Sequence, residues 1–396
     1  MIKVTFFWRS LLELMERVFL INGARSYIGN ENGMYRNVPA EQLGAAVLRQ
    51  VAEPYRKPGI DLVIAGNAVG GGGNIARLAL LEAGLPQEIP ALTVDLQCGS
   101  GLESIALAAA KIQSGQADLV IAGGFDSSST APDRRYHKNH PDYERYGSEE
   151  SWYSVAKFVP GRHMQTAMLE GAERTAVAEG ITRQDLDSWV LRSHRLARQA
   201  RESGELQDIQ IEAVEGCNRD EGIRDRMNQR LLDRLPCVLK NGQVITAANA
   251  CLTNDGAAFI VLCSQQLLQF YRWQPWAEFL GAVEVGDRSE ESPRSAIAAV
   301  QRVLQRYHYS PEDIAIFECN EAFAVIDEMF ARTYPQMIDR YNILGGALAY
   351  GHPYGASGGI ITLHALKALE SVGGGLAVCS VAAAGGVGTA VLLRSC

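Results

Sequence analysis

From Arg17 onward, short apolar runs alternate with longer stretches whose apolar positions recur every three or four residues. VFLING (18–23), DLVIAGNAV (61–69), ALTVDLQ (91–97) and ADLVIAGGFD (117–126) read as strands. AEQLGAAVLRQVAEPYR (40–56), NIARLALLEAG (74–84) and SGLESIALAAAKIQSG (100–115) read as helices, the second closed by Gly84. This rhythm predicts an α/β protein with helices on a mostly buried sheet. After Asp126 the pattern turns polar (SSSTAPDRRYHKNHPDYERYG), and a charged helical stretch follows (TRQDLDSWVLRSHRLARQARESGEL, 182–206). The hydrophobic rhythm returns at QVITAANACLTNDGAAFIVL (243–262), and from about 277 the first pattern repeats. CGSGLESIALAAAKIQSGQADLVIAGGFDSS (98–128) and YGASGGIITLHALKALESVGGGLAVCSVAAAGGVGTA (354–390) share one order: small-residue turn, Ala/Leu helix, glycine turn, strand, Gly-Gly loop. Two duplicated halves follow from this, one at 15–126 plus about 244–271 and the other at 272–396. A loop subdomain at 127–243 and an extension at 1–14 outside the fold complete the division.

At 396 residues and 47% hydrophobic, the chain has material for two or three packed units. A formal net charge of −8 with no long basic run argues against a nucleic-acid partner. The cysteines at 98, 217, 237, 251, 263, 319, 379 and 396 stand singly, without CxxC or His-x-x-x-His spacing. That pattern predicts no metal site and a reduced, cytoplasmic setting. No apolar run approaches the roughly 18–20 residues of a membrane span. In the first residues, Arg9, Glu13, Glu16 and Arg17 break the apolar pattern and no small-residue cleavage site follows, so we read an amphipathic extension rather than a signal peptide.

Chemistry enters with VDLQCGSGLES (94–104). Cys98 stands where a strand ends and a helix begins, with Gly99, Ser100 and Gly101 allowing a tight turn. The helix dipole there favours a thiolate, which predicts a lowered pKa and a nucleophile. A small buried thiol filling the core is the competing reading. His352 sits between glycines and before a proline, a poor place for a packing side chain and a good one for a base. Asn320 and Glu321 follow the β-rich run IAIFE (314–318), where loops bearing catalytic groups emerge. AVCSVAAAGGVG (377–388) ends in a glycine loop whose backbone N–H groups suit an oxyanion. GGGGN (70–74) lacks the GK[ST] ending of a phosphate loop.

Taken together, these stretches resemble the thiolases from about Glu16 to Arg394. QCGSGLES, NEAFA (320–324), GGALAYGHPYGASG (345–358) and AGGFDSSSTAP (122–132) match closely; RHMQTA (162–167), RSHRLA (192–197) and TAANACLTNDGAA (246–258) match more loosely, in the expected order. The resemblance implies a thiolase fold, a five-layered αβαβα sandwich. It implies that Cys98 takes an acyl group from a CoA thioester, that His352 accepts its proton, and that Asn320, through a water, joins His352 in holding an enolate oxygen. The N–H groups of Cys98 and of the Ala384 to Gly386 loop would form the oxyanion hole. His163, Met164, Cys251 and Phe323 fall at substrate and CoA positions. It further implies acyl-CoA and CoA as substrates, no need for a metal or other cofactor, and a homodimer or homotetramer assembled through the first half.

Departures bear on the mechanism. The family's second cysteine, which moves the α-proton, falls on Ala382 when counted back from GGVG, and Cys379 lies three residues upstream. Either the loop is longer and Cys379 reaches the site, or Cys379 packs in the strand and that thiol is missing. In the first case the chain condenses or cleaves 3-ketoacyl-CoA of the acetoacetyl-CoA type. In the second it acylates another nucleophile or uses a decarboxylating donor. A catalytically silent scaffold subunit is the reading from a different class. Cys251 replaces a serine near the pantetheine arm, with Leu252 for glycine. His194 reads as a helix-surface or packing residue, and His137, His140, Arg134 and Arg135 as solvent-exposed or facing a CoA phosphate.

Overall fold

The computed structural model describes residues 16–143, 152–153, 157–160 and 166–396. The extension at 1–14 and the candidates His163 and Met164 lie outside them. Nine strands carry the architecture: β1 (Val18–Ser26), β2 (Leu62–Gly66), β3 (Ala91–Val94), β4 (Leu119–Ser127), β5 (Asn254–Ser264), β6 (Ala277–Gly286), β7 (Ile314–Cys319), β8 (Leu376–Ala383) and β9 (Val387–Ser395). Their spatial order is β7-β8-β9-β6-β1-β5-β4-β2-β3. Outward from the centre, β1, β5 and β4 pair antiparallel and β4 with β2 parallel; β6, β9 and β8 pair antiparallel and β8 with β7 parallel. The duplication seen in the text is thus a duplication of topology. The halves join where Val18, Phe19 and Leu20 pair with Phe279, Glu278 and Ala277.

The principal helices are α1 (Ala40–Ala52), α2 (Ile75–Glu82), α3 (Ser100–Gln113), α4 (Ala167–Ala178), α5 (Arg183–Ser203), α6 (Arg294–Tyr307), α7 (Ala324–Thr333) and α8 (Tyr354–Ser371). Strand parity sorts the buried side chains into three cores. On β4, Leu119 and Ile121 join α1 and α2 on the outer face, whereas Val120 and Ala122 face α3 and α8. On β8, Ala377, Cys379 and Val381 face inward, and Val378 and Ala382 join α6 and α7 outside. Helix, sheet, helix pair, sheet, helix: this is the five-layered sandwich. After Ser127 the chain builds α4 and α5, touches the sheet where Gln210 and Ile211 pair with Arg25 and Ser26 at the end of β1, and takes up a long strand again at Asn254.

The inner helices owe their place to small residues. Helix α8 is buried on every side from Gly355 to Leu366, as a helix without a polar face must be. A Cβ at Gly101 would stand 2.4 Å from the Gly355 oxygen, and one at Gly358 only 1.9 Å from the Leu102 nitrogen. We predict that Gly358→Ala lowers stability by about 1–3 kcal/mol or more through overpacking. Urea unfolding monitored by fluorescence measures it; a wild-type midpoint would refute this account of the α3–α8 contact.

Candidate active site

Between β3 and α3 the chain makes a tight, over-determined turn. Asp95 Oδ1 accepts the Gln97 N–H (2.9 Å), Ser100 Oγ accepts the Leu96 N–H (2.8 Å), and the Ser100 hydroxyl donates to the Gln97 carbonyl (2.6 Å). Gln97 is held at φ 52°, a left-handed conformation that costs a non-glycine residue about 1–3 kcal/mol. Cys98 follows it just ahead of α3, 6% exposed, with its sulfur facing its own N–H and that of Ala384.

The expected low thiol pKa is corrected here. Burial pushes Cys98 up to about 12, helped by the charges of Asp126 and Asp95 and opposed by the two N–H groups. Desolvation outweighs the helix dipole because the sulfur is almost wholly out of water. The resting group is therefore a neutral thiol, and a base must take its proton at the moment of attack.

That base is placed by the turn before α8. Gly351, at φ 106°, lies so close to the Asn254 amide that a Cβ would collide with it, and Asn254 Oδ1 accepts the His352 N–H at 2.8 Å. His352 is 1% exposed, and burial pulls its imidazole down to about 3, so it rests neutral. Its Nδ1 lies 2.6 Å from Ser357 Oγ, whose hydroxyl donates to the Pro353 carbonyl at 3.1 Å. This network assigns the imidazole proton to Nδ1 and the lone pair to Nε2. Asn320 Nδ2 stands 3.3 Å from Nδ1 and 3.4 Å from Nε2. Asn320 is itself anchored by its N–H to the Ser380 carbonyl (2.9 Å), and the loop after it is zipped to the 249–251 segment through Cys251 N–H to Ala322 O and Ala324 N–H to Asn249 O, both 2.9 Å.

Asp126 ties the thiol's surroundings to the imidazole's. Its carboxylate accepts the N–H groups of Gly355 (2.6 Å), Ala68 (3.1 Å) and Val69 (3.1 Å) and the Asn67 amide (2.8 Å), and burial lifts it to about 6. Tyr354, the first residue of α8, makes a T-shaped ring contact with His352 at 5.0 Å between centroids, and its hydroxyl lies within electrostatic reach of the Cys98 and Cys251 thiols. Cys251 is half-buried, its thiol pushed up by burial and by Cys98. Cys98, His352, Asn320, Cys251 and Ala384 are thus brought to one place.

Other sequence candidates are not. Cys379 is fully buried on the inward face of β8, its thiol toward the Ile361 carbonyl of α8 at 3.8 Å. Of the two readings of this cysteine, the fold adopts the packing one, because strand parity aims residue 379 at the helix layer. Ala382, at the position of the missing thiol, points into the outer core. Gly386 is corrected as an oxyanion donor: its N–H is bound to Ser292 Oγ at 3.2 Å. Phe323 is 6% exposed and packs in the outer core of the second half. His137 and His140 are exposed, and His194 is buried with Nδ1 accepting the Arg224 N–H at 3.2 Å. A cavity of about 700 Å³, lined by Trp189, Arg192, His194, Arg195, Arg198 and Arg224, opens on α5 and holds none of the site residues. Among the described residues no group of three or more His, Cys, Asp or Glu could hold a metal ion, and no helix is long and apolar enough to cross a membrane.

We expect Cys379→Ala to leave acyl-transfer activity unchanged while costing about 1 kcal/mol of stability for the lost buried sulfur. A loss of activity in a folded variant, measured by steady-state assay, would return Cys379 to the mechanism. Sequence reasoning missed Ser357, Asn254, Asp126 and Tyr354, although all four stand inside matched motifs.

Comparison with known proteins identifies the family. The family model "Thiolase, N-terminal domain" matches residues 18–266 and "Thiolase, C-terminal domain" matches 273–395. The chain is 35% identical over 385 residues to "Putative acetyl-CoA C-acetyltransferase VraB" of Staphylococcus aureus (strain MRSA252), covering 96% of this chain and 99% of that one. It is 32% identical over 378 residues to the similarly described YhfS of Bacillus subtilis (strain 168), covering 95% and 98%. Among solved structures, the Bacillus anthracis acetyl-CoA acetyltransferase superposes with a TM-score of 0.87 at 28% identity, over 96% of this chain and 99% of that one. Human mitochondrial 3-ketoacyl-CoA thiolase in complex with CoA gives 0.86 at 28%, over 96% and 98%. The chain belongs to the thiolase family and is an acyltransferase.

Proposed function

We propose that this acyltransferase works through an acyl-enzyme on Cys98, with CoA thioesters as substrates. The observation that carries the proposal is the buried Cys98 sulfur facing the Ala384 N–H, in a site shared with His352 and Asn320. His352 Nε2 takes the thiol proton as sulfur attacks the thioester carbonyl. The N–H groups of Cys98 and Ala384 receive the oxyanion, and the tetrahedral adduct expels the CoA sulfur, which takes the proton from the imidazolium and leaves as the thiol. With a 3-ketoacyl-CoA, Cys98 attacks the keto carbon instead. The C2–C3 bond breaks, and its electron pair becomes the enolate of an acetyl thioester, whose oxygen Asn320 and His352 hold.

Relatives described as acetyl-CoA C-acetyltransferases, and a related thiolase crystallised with CoA, support acetyl or 3-ketoacyl thioesters as the substrate class. Proton transfer and donor hydrogen bonds account for every step without a further cofactor. The free thiols fit a reducing compartment, the cytoplasm. Strand β3 ends the sheet with its outer edge unpaired among the described strands, which suits a homo-oligomer joined through the first half.

Intact mass spectrometry after acid quench tests the reading. One acetyl group on Cys98 from acetyl-CoA is the expected result, and no adduct from any acyl-CoA would favour the silent scaffold. The inward-facing Cys379 gives weight to a second reading, in which a decarboxylating donor supplies the carbanion. Carbon dioxide release from malonyl-CoA by the acetylated enzyme, without acetoacetyl-CoA cleavage, would select it.

A further inference from the structure

Breaking the C2–C3 bond of a 3-ketoacyl thioester leaves an electron pair on the α-carbon, and that carbon must gain a proton; condensation must remove one. His352 already holds the proton of Cys98 in that step, and Cys379 is turned to α8. Among the described residues, two other thiol or phenol side chains lie within electrostatic reach of the Cys98 thiol, Cys251 and Tyr354. Cys251 is short and its sulfur sits over its own N–H. Tyr354 is long, half-buried and therefore reachable, and braced at its root, where the next residue's N–H is held by Asp126 at 2.6 Å. Its ring makes a T-shaped contact with the imidazole, with 5.0 Å between centroids, and its hydroxyl is within electrostatic reach of the two thiols.

We propose that the Tyr354 hydroxyl is the acid and base that exchanges a proton with the α-carbon of the acetyl thioester. The inference rests on the acyl-enzyme reading above. In cleavage, the phenol gives its proton to the α-carbon as the C2–C3 bond breaks, and acetyl-CoA departs. The incoming CoA thiol returns a proton to the phenolate, and its sulfur attacks the acyl group on Cys98. Cys98 leaves as thiolate and recovers its proton from His352. The titratable groups within electrostatic reach of the hydroxyl are Cys251, Cys98, Asp126 and Glu31, with His352 against the ring; burial comes first among the influences that keep the phenol protonated at rest, which suits the donor in the cleavage direction.

The test uses the full chain and three readouts: acetyl loading on Cys98, cleavage of acetoacetyl-CoA with CoA, and uptake of solvent deuterium into the methyl group of acetyl-CoA. We expect Tyr354→Phe, which keeps the ring, to load Cys98 as wild type does while losing cleavage and deuterium uptake by about 10²-fold or more. Tyr354→Cys should regain part of both, with the pH profile of uptake moved to lower pH because a thiol titrates below a phenol. Wild-type uptake in Tyr354→Phe, loss of uptake in Cys251→Ala instead, or a loaded wild-type enzyme that never takes up deuterium would each overturn the proposal. Failure of wild type to load Cys98 is a separate result, which removes the acyl-enzyme reading and this inference with it.

Discussion

Cys98→Ala abolishes acyl loading and lowers acyl transfer by about 10⁴-fold or more, equivalent to about 5 kcal/mol at roughly 1.4 kcal/mol per tenfold. The size follows from the absence of a substitute. Cys251, the thiol closest in character, is pushed further from ionisation by burial and sits over its own N–H rather than that of Ala384. The fold should survive, since the substitution removes one sulfur at a position 6% exposed and leaves the Asp95–Ser100 hydrogen bonds of the turn intact. A large-to-small change of that kind costs about 1 kcal/mol. Loading by intact mass and cleavage by loss of acetoacetyl-CoA absorbance measure both halves. A Cys98→Ala enzyme that still carries an acyl group on another residue would move the nucleophile elsewhere.

Much of this arrangement was legible in the residues because the determinants are local. Strands covered by helices on both faces of a mixed half-sheet announce themselves as unbroken apolar runs, and a turn of Gly99, Ser100 and Gly101 after ALTVDLQ has few uses other than presenting Cys98. The duplicated order of turn, helix and strand likewise implied that α3 and α8 occupy equivalent places. What the residues hid are quantities set by three-dimensional surroundings. The helix dipole predicts a low pKa for Cys98; only burial beside Asp126 and Asp95 reverses the sign. Glycine content made Gly386 look like an oxyanion donor, but Ser292, 94 positions away, takes its N–H. The charged run around His194 reads as a solvated face, and α5 does expose Arg195; yet Leu186, Trp189, Val190 and His194 of the same helix are buried. Cys379 is the instructive case. Residues 379 and 382 have opposite parity on β8, so their side chains face different layers, and a cysteine three residues out of place cannot stand in for the missing one.

His352→Ala changes the form of the pH dependence as well as the rate. In wild type the imidazole is held down to about 3 and the thiol up to about 12, so both rest neutral between those limits. The thiol proton then passes to Nε2 within the attack, and acylation should be flat from about pH 5 to about pH 9. Without His352 only thiol that has already ionised reacts. With a thiol pKa of about 12 that fraction is about 10⁻⁵ at pH 7, and it rises tenfold per pH unit. Acylation of the variant should therefore fall by about 10³-fold or more near neutrality, the greater reactivity of the free thiolate offsetting part of the difference, and climb with a slope near one on a logarithmic pH plot. The sign for stability runs the other way. A histidine whose folded pKa lies below its unfolded value disfavours the fold as pH drops, because the unfolded chain binds the extra proton; His352 and His364, both held low by burial, should cost stability progressively below about pH 6.5. Replacing His352 by alanine removes its share of that acid lability while damaging catalysis. Rates of acyl loading and urea midpoints, each followed from acid to alkaline pH, separate the two effects, and a flat acylation profile in His352→Ala would exclude His352 as the base.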